Sequence, residues 1–169
     1  MASNSLHEIF LQDIINSFGK YKAMGDKTFV QLSEDDFHFF LDEDSNSISL
    51  IVQHISGNLI SRFTDFLTAD GEKPNRDRDS EFEEQNLSKT ELIERWSSAW
   101  KILMDTVINL NDEDLLKTVY IRKEPLLVME ALNRSLTHTA YHIGQIVFLA
   151  KHLKKNDWKT LSIPKKKKP

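Results

Sequence analysis

A chain of 169 residues, 40% hydrophobic and 28% charged, fits one globular domain with a core of ordinary size and is short for two. The formal net charge of −4 supplies no electrostatic reason to bind nucleic acid or an anionic membrane. The absence of cysteine excludes a disulfide framework, a thiolate metal site and a cysteine nucleophile, and it agrees with a cytoplasmic location.

The stretch from Met1 to Glu8 has neither a basic region nor an apolar run, and no segment reaches the length of a membrane span, so a soluble protein is expected. Leu6, Ile9, Phe10, Ile14, Phe18, Tyr21 and Met24 recur every three or four residues, which predicts a first helix from about Ser5 to about Gln31. Ser33 to Asp36 reads as the capped start of a short helical turn. Asp42 to Asn46 is a polar loop, with Asn46 or Ser47 as the candidate cap of a second long helix. Within it Ile48, Ile51, Val52, Ile55, Leu59, Phe63 and Phe66 recur at helical spacing. Asp70 to Gln85 carries Gly71, Pro74 and many charges without apolar periodicity, and reads as a long exposed connection.

Ser88-Lys-Thr-Glu91 is a capping-box pattern that announces a third long helix through Leu92, Trp96, Ala99, Leu103, Val107 and Leu110. Its i, i+4 pair Trp96 and Trp100 is better explained by core or interface packing than by ligand stacking. Asn111 to Asp114 repeats the helix-start chemistry, Thr118 to Arg122 has strand character, and Pro125 stands just before the last helix, where a first turn tolerates it. The likeness of Leu32–Phe37 to Leu110–Leu115 gives weak support to four main helices in two pairs. A connection as long as 70–85 lets neighbouring helices run parallel, so the expected fold is all-α, a four-helix bundle with long crossover connections. Residues 1–160 form the expected domain, and 161–169, with the run Lys165 to Lys168 between prolines, a disordered basic tail.

His138 and His142 lie four residues apart on the last helix, a net turn of about 40° and a rise of about 6 Å, so both imidazoles leave one face. On helical indexing Val128, Leu132, Ser135, Thr139, Ile146, Leu149, Ala150 and Leu153 form one stripe, with the two histidines on its flank and turned inward. A buried imidazole needs a hydrogen bond or a metal, and spacing alone leaves the two readings evenly balanced. His54, Asn58 and Arg62 form an i, i+4, i+8 line on the second long helix. That edge either meets solvent or faces a polar cavity opposite His138 and His142.

The segments Gln53-His-Ile-Ser-Gly-Asn58 and Tyr141-His-Ile-Gly-Gln-Ile-Val147, behind a long N-terminal helix, resemble the DinB/YfiT-like superfamily from about Ser5 to about Lys155. Thr64 to Pro74, with Arg76, Arg78 and Glu81 after it, resembles a bacterial subgroup of unestablished activity. The resemblance implies a four-helix bundle that binds a divalent metal, zinc or nickel, through His54, His138 and His142. It also implies a homodimer, with Trp100 as a candidate interface residue.

Three neutral imidazoles leave a coordination position open, which marks a catalytic rather than a structural metal site. In one reading a small thiol cosubstrate is held as thiolate and attacks an electrophile; the superfamily contains bacillithiol S-transferases, and the sulfur would come from the cosubstrate. In the other, activated water hydrolyses an ester or amide. Thr139 follows His138, so the His-Glu-x-x-His arrangement is absent, and transfer ranks above hydrolysis. The contrasting class is non-catalytic, a metal-stabilised binding or stress-response module. Asn58 and Arg62 are candidates to orient the thiol or an anionic group of a small-molecule substrate, although Arg62 equally reads as the partner of an internal carboxylate. Tyr141 and Gln145 flank His142, with Gln145 as a hydrogen-bond partner for a ligand imidazole. Arg134 is better read as an exposed salt bridge, and His7, His38 and His152 do not fit the triad spacing.

Overall fold

Serine side chains start four of the helices. The computed structural model describes residues 5–163 and has α1 (Leu6–Phe29), α2 (Glu34–Phe37), α3 (Ile48–Phe63), α4 (Lys89–Ile108) and α5 (Val128–Lys154). Ser5, Ser33, Ser47 and Ser88 each accept an amide N–H from the first turn that follows, satisfying donors that helix geometry leaves unpaired. At α1, α2 and α4 the carboxylate three residues on accepts the serine's own N–H, completing the capping box. At α5 there is no serine, and the Glu130 carboxylate accepts the Leu127 N–H at 2.8 Å.

The described residues are mostly helical, with one two-stranded antiparallel sheet, β1 (Thr118–Ile121) and β2 (Glu124–Leu127). The hairpin is a small addition to a mostly helical fold; β1 falls in the stretch with expected strand character, while Pro125 moves from a helix start into β2, opposite Tyr120. A two-stranded sheet is all edge, so proline's missing donor is tolerated there. Arg122 and Lys123 turn the hairpin with φ of 56° and 66°, the left-handed pair that such a turn demands. Asp70 offsets that strain by accepting the N–H of Arg122 at 2.9 Å and of Lys123 at 2.7 Å. Backbone hydrogen bonds from Glu72, Lys123 and Arg122 hold the Asp70 carboxyl below the usual carboxylate range. The connection after α3 is thereby tied to the hairpin, and Gly71 N–H donates to the Tyr120 carbonyl at 2.7 Å.

α3 packs chiefly on α4 and α1 chiefly on α5, while α1–α4 and α3–α5 contacts close the core. Phe18 meets Phe63 and Trp100 edge-on at 6.4 and 6.2 Å, and Phe29 meets Trp96 at 5.2 Å. Trp100 is fully buried, which removes it as an interface residue. The periodicity of α1 runs past its packed stretch: Leu6 is 83% and Ile9 53% exposed, and burial begins at Leu11. The segment 70–85, expected to be exposed, buries the side chains of Arg76 and Glu81, because these charges pair with each other instead of with water. Trp158 packs against the core, and Gln31 exchanges hydrogen bonds with the Lys159 backbone. Of the expected tail, residues 161–163 are described, while 164–169, with the lysine run, lie outside the described residues. No helix among the described residues is long and apolar enough to cross a membrane.

Gly25 sets the approach of α1 to α4. A Cβ there would lie 2.7 Å from Trp96 Cζ2, and the Trp96 indole is pinned by its hydrogen bond to Asp26 at 2.9 Å. Gly25→Ala is expected to cost about 1 to 3 kcal/mol through overpacking. The reading is a lower urea midpoint at constant slope, and an unchanged midpoint would show that the tryptophan yields freely.

Candidate metal centre

Two helices meet at the site. α3 presents His54, Asn58 and Arg62 along one edge, and α5 presents His138, Tyr141, His142 and Gln145. All seven side chains line one cavity of about 420 Å³. The spacing on α5 that turned the two imidazoles inward brings them to His54, and the three histidines offer nitrogens that all lie within 4.8 Å of one another. His54 and His142 are 3% and 6% exposed, and His138 is half-buried.

Hydrogen bonds at the far side of two rings decide which nitrogen faces the centre. His54 Nδ1 lies 2.9 Å from Glu81 Oε2, so its proton sits on Nδ1 and the lone pair on Nε2. His142 Nδ1 lies 2.7 Å from the amide oxygen of Gln145, which only accepts, so His142 Nε2 is also bare. That Nε2 is buried without a hydrogen-bond partner. His54 Nε2 faces His138 Nε2 at 3.1 Å. Burial, with the nearby His142 and His54, lowers the His138 pKa to about 3, and burial lowers His142 to about 4 against the opposing bond from Gln145. Both rings are neutral at pH 7.

This arrangement passes the test for a metal. An unpartnered buried nitrogen costs about 1 to 3 kcal/mol, and the bare Nε2 of His142 lies gathered with nitrogens of His54 and His138, where a shared cation would remove the cost. Imidazole sets suit zinc, nickel, copper or iron, so the donors fit a divalent transition ion without naming it.

Glu81 stands directly behind His54. Arg76 clamps it through Nε to Oε1 and Nη2 to Oε2, both at 2.8 Å. Burial alone would raise the Glu81 carboxyl, but hydrogen bonds from His54 and Arg76 outweigh it and hold the group below its ordinary value. Gly57 makes room for this carboxylate, since a Cβ there would lie 2.2 Å from Glu81 Oε1. Phe82 covers the His54 ring at 4.6 Å, and Tyr141, 54% exposed, lies over His142 at 4.1 Å at the cavity mouth.

Arg62 lines the cavity, and its Nη2 donates at 3.2 Å to Glu72, the internal carboxylate foreseen as its partner. Arg134 lines the cavity too and lies 3.8 Å from Glu124. His7 and His38 lie apart beside Asp112 and Glu34, and His152 is exposed. The roles of Arg76 and Glu81 behind His54 were missed by sequence reasoning. They sit in a connection without periodicity, where spacing alone does not pair them with a residue of α3.

Residues 5–167 match a family described as "Protein of unknown function (DUF1572)". The chain belongs to this family. No curated protein matches it. For this DUF1572 chain the site geometry therefore carries the functional reading.

The depressed histidine pKa values give a check without metal. An unfolded histidine titrates near 6.5, so at pH 6 it is mostly protonated, whereas His138 and His142 in the folded chain stay neutral. Long-range ¹H–¹⁵N spectra of metal-free protein at pH 6 should show His142 protonated at Nδ1 and bare at Nε2. A doubly protonated ring at that pH would contradict the assigned environment.

Proposed function

We propose that the chain is a DinB/YfiT-like four-helix bundle of α1, α3, α4 and α5 that holds one divalent ion, zinc or nickel, and transfers a small thiol to an electrophile. The observation that supports this reading most is the buried, partnerless Nε2 of His142, gathered with the nitrogens of His54 and His138 at the wall of a cavity. A bound divalent ion would supply the positive charge that lowers the pKa of a thiol placed against it.

The chain's own groups do the rest. Glu81 and Gln145 fix the tautomers and ring planes of His54 and His142, the usual task of such partners. Asn58 and Arg62 orient the substrate within the cavity, and Tyr141 narrows its mouth. In the transfer, the thiol gives up its proton to solvent, its sulfur forms the new bond to an electrophilic carbon, and the leaving group departs with the bonding electron pair. Hydrolysis would want a general base beside the attacking water. No carboxylate among the described residues lines the cavity, and Glu81 spends both oxygens on His54 and Arg76. Thiolate attack needs no such base, which favours transfer.

Elemental analysis of untagged protein after gel filtration without chelator tests the reading, with His138→Ala beside the wild type. About one equivalent of transition metal in the wild type, lost in the variant, is expected for a three-histidine site. With the ion restored, small thiols should be consumed in the presence of electrophiles. No metal in either protein, and none taken up from added Zn²⁺ or Ni²⁺, would overturn it. A fully loaded protein whose melting temperature collapses on chelation, yet which consumes no thiol, would assign the ion a stabilising role instead.

A further inference from the structure

The cavity wall is chemically one-sided. Arg62, Arg78, Arg122 and Arg134 line it, and no aspartate or glutamate among the described residues does. The carboxylates behind the wall are already engaged, Asp70 by the backbone N–H groups of the hairpin turn. Glu72 alone serves three guanidinium groups, accepting from Arg62 Nη2 at 3.2 Å, Arg76 Nη1 at 3.3 Å and Arg122 Nε at 3.2 Å. Glu81 adds a second charge, but it is committed to Arg76 and His54. Arg134 has only a 3.8 Å approach to Glu124, which is 73% exposed and screened by water. Arg78 lies over the face of Phe82 at 5.9 Å.

Two donors in this wall lack partners. Arg62 is 9% exposed, and its Nη1 is buried without a hydrogen bond. Ser135, on α5, is 6% exposed, and its hydroxyl is likewise unpartnered. A buried guanidinium nitrogen without an acceptor is costly, and burial already lowers the Arg62 pKa to about 10 against the opposing pull of Glu72. The group remains charged at pH 7, and its Nη1 lacks an acceptor.

We propose that the substrate carries an oxyanion, a carboxylate or a phosphate, which docks on Arg62 with help from the Ser135 hydroxyl. This rests on the reading of the cavity as a substrate site. Guanidinium groups favour such anions because their N–H groups match two oxygens at once. Arg62 stands two turns beyond His54, about 12 Å along the helix axis, so the anion binds at one end of the cavity and the reacting group lies by the histidines. A substrate of that kind is a small bifunctional molecule, charged at one end and reactive at the other.

Isothermal titration calorimetry on the full chain, as purified and again after chelation, separates this proposal from the metal reading. The probes are succinate, inorganic phosphate and the uncharged diamide succinamide. In the wild type one of the anions should bind at least about tenfold tighter than succinamide, with or without metal. The tighter anion identifies a carboxylate or a phosphate substrate. Folded Arg62→Met should lose at least about tenfold of that affinity while succinamide is unaffected. Equal binding of succinate, phosphate and succinamide in the wild type would overturn the proposal even if the variant fails to fold. So would undiminished anion binding by folded Arg62→Met. A protein that takes up no metal yet shows Arg62-dependent anion binding would sink the transfer mechanism and leave the anion site standing.

Discussion

The hydrogen bond between Glu81 and His54 governs the site. By accepting a hydrogen bond from Nδ1–H, the carboxylate leaves the other nitrogen of His54 bare and directed at His138. Gln145 does the same for His142 through an uncharged oxygen. Two rings are thus obliged to present lone pairs at one place, where that of His54 meets His138 and that of His142 has no partner. A buried carboxylate is itself expensive, and Arg76, clamped on both oxygens, keeps Glu81 charged. Gly57 gives the carboxylate the room it needs against α3.

The fold explains why a connecting segment can hold so exact a partner. Between α3 and α4 the chain is anchored at both ends of its path. Asp70 seizes the tight turn of the hairpin, and Gln53 donates to the carbonyls of Glu81 and Glu83. The hairpin runs directly into α5, where Val128 N–H donates to the Lys117 carbonyl, so the connection, the sheet and the histidine-bearing helix are mechanically linked. Glu72 extends the linkage by binding Arg62, Arg76 and Arg122 together. One charged lattice therefore supports His54 at one end of the cavity and Arg62 at the other.

Much of this is readable from the sequence where a period exists. The spacing of His138 and His142, the line of His54, Asn58 and Arg62, and the serine caps follow from helical geometry, and each lands where that geometry puts it. The failures have physical causes. Periodicity in α1 continues through Leu6 and Ile9 although nothing covers them. Pro125 satisfies a helix start and an edge strand equally well, because both want its fixed φ and neither needs its missing N–H. The partnership of Glu81 and Arg76 has no periodic signature, since irregular backbone brings them to α3. Trp100 looked free for a subunit contact only because sequence shows neighbours along a helix and not those across the core.

The central claim is that three imidazoles converge on one ion. X-ray absorption at the metal edge of protein loaded with a single equivalent of Zn²⁺ tests it most directly. The account predicts a first shell with three histidine nitrogens, completed by a light exchangeable donor. A shell with one histidine or none, or one dominated by carboxylate oxygens, would contradict it.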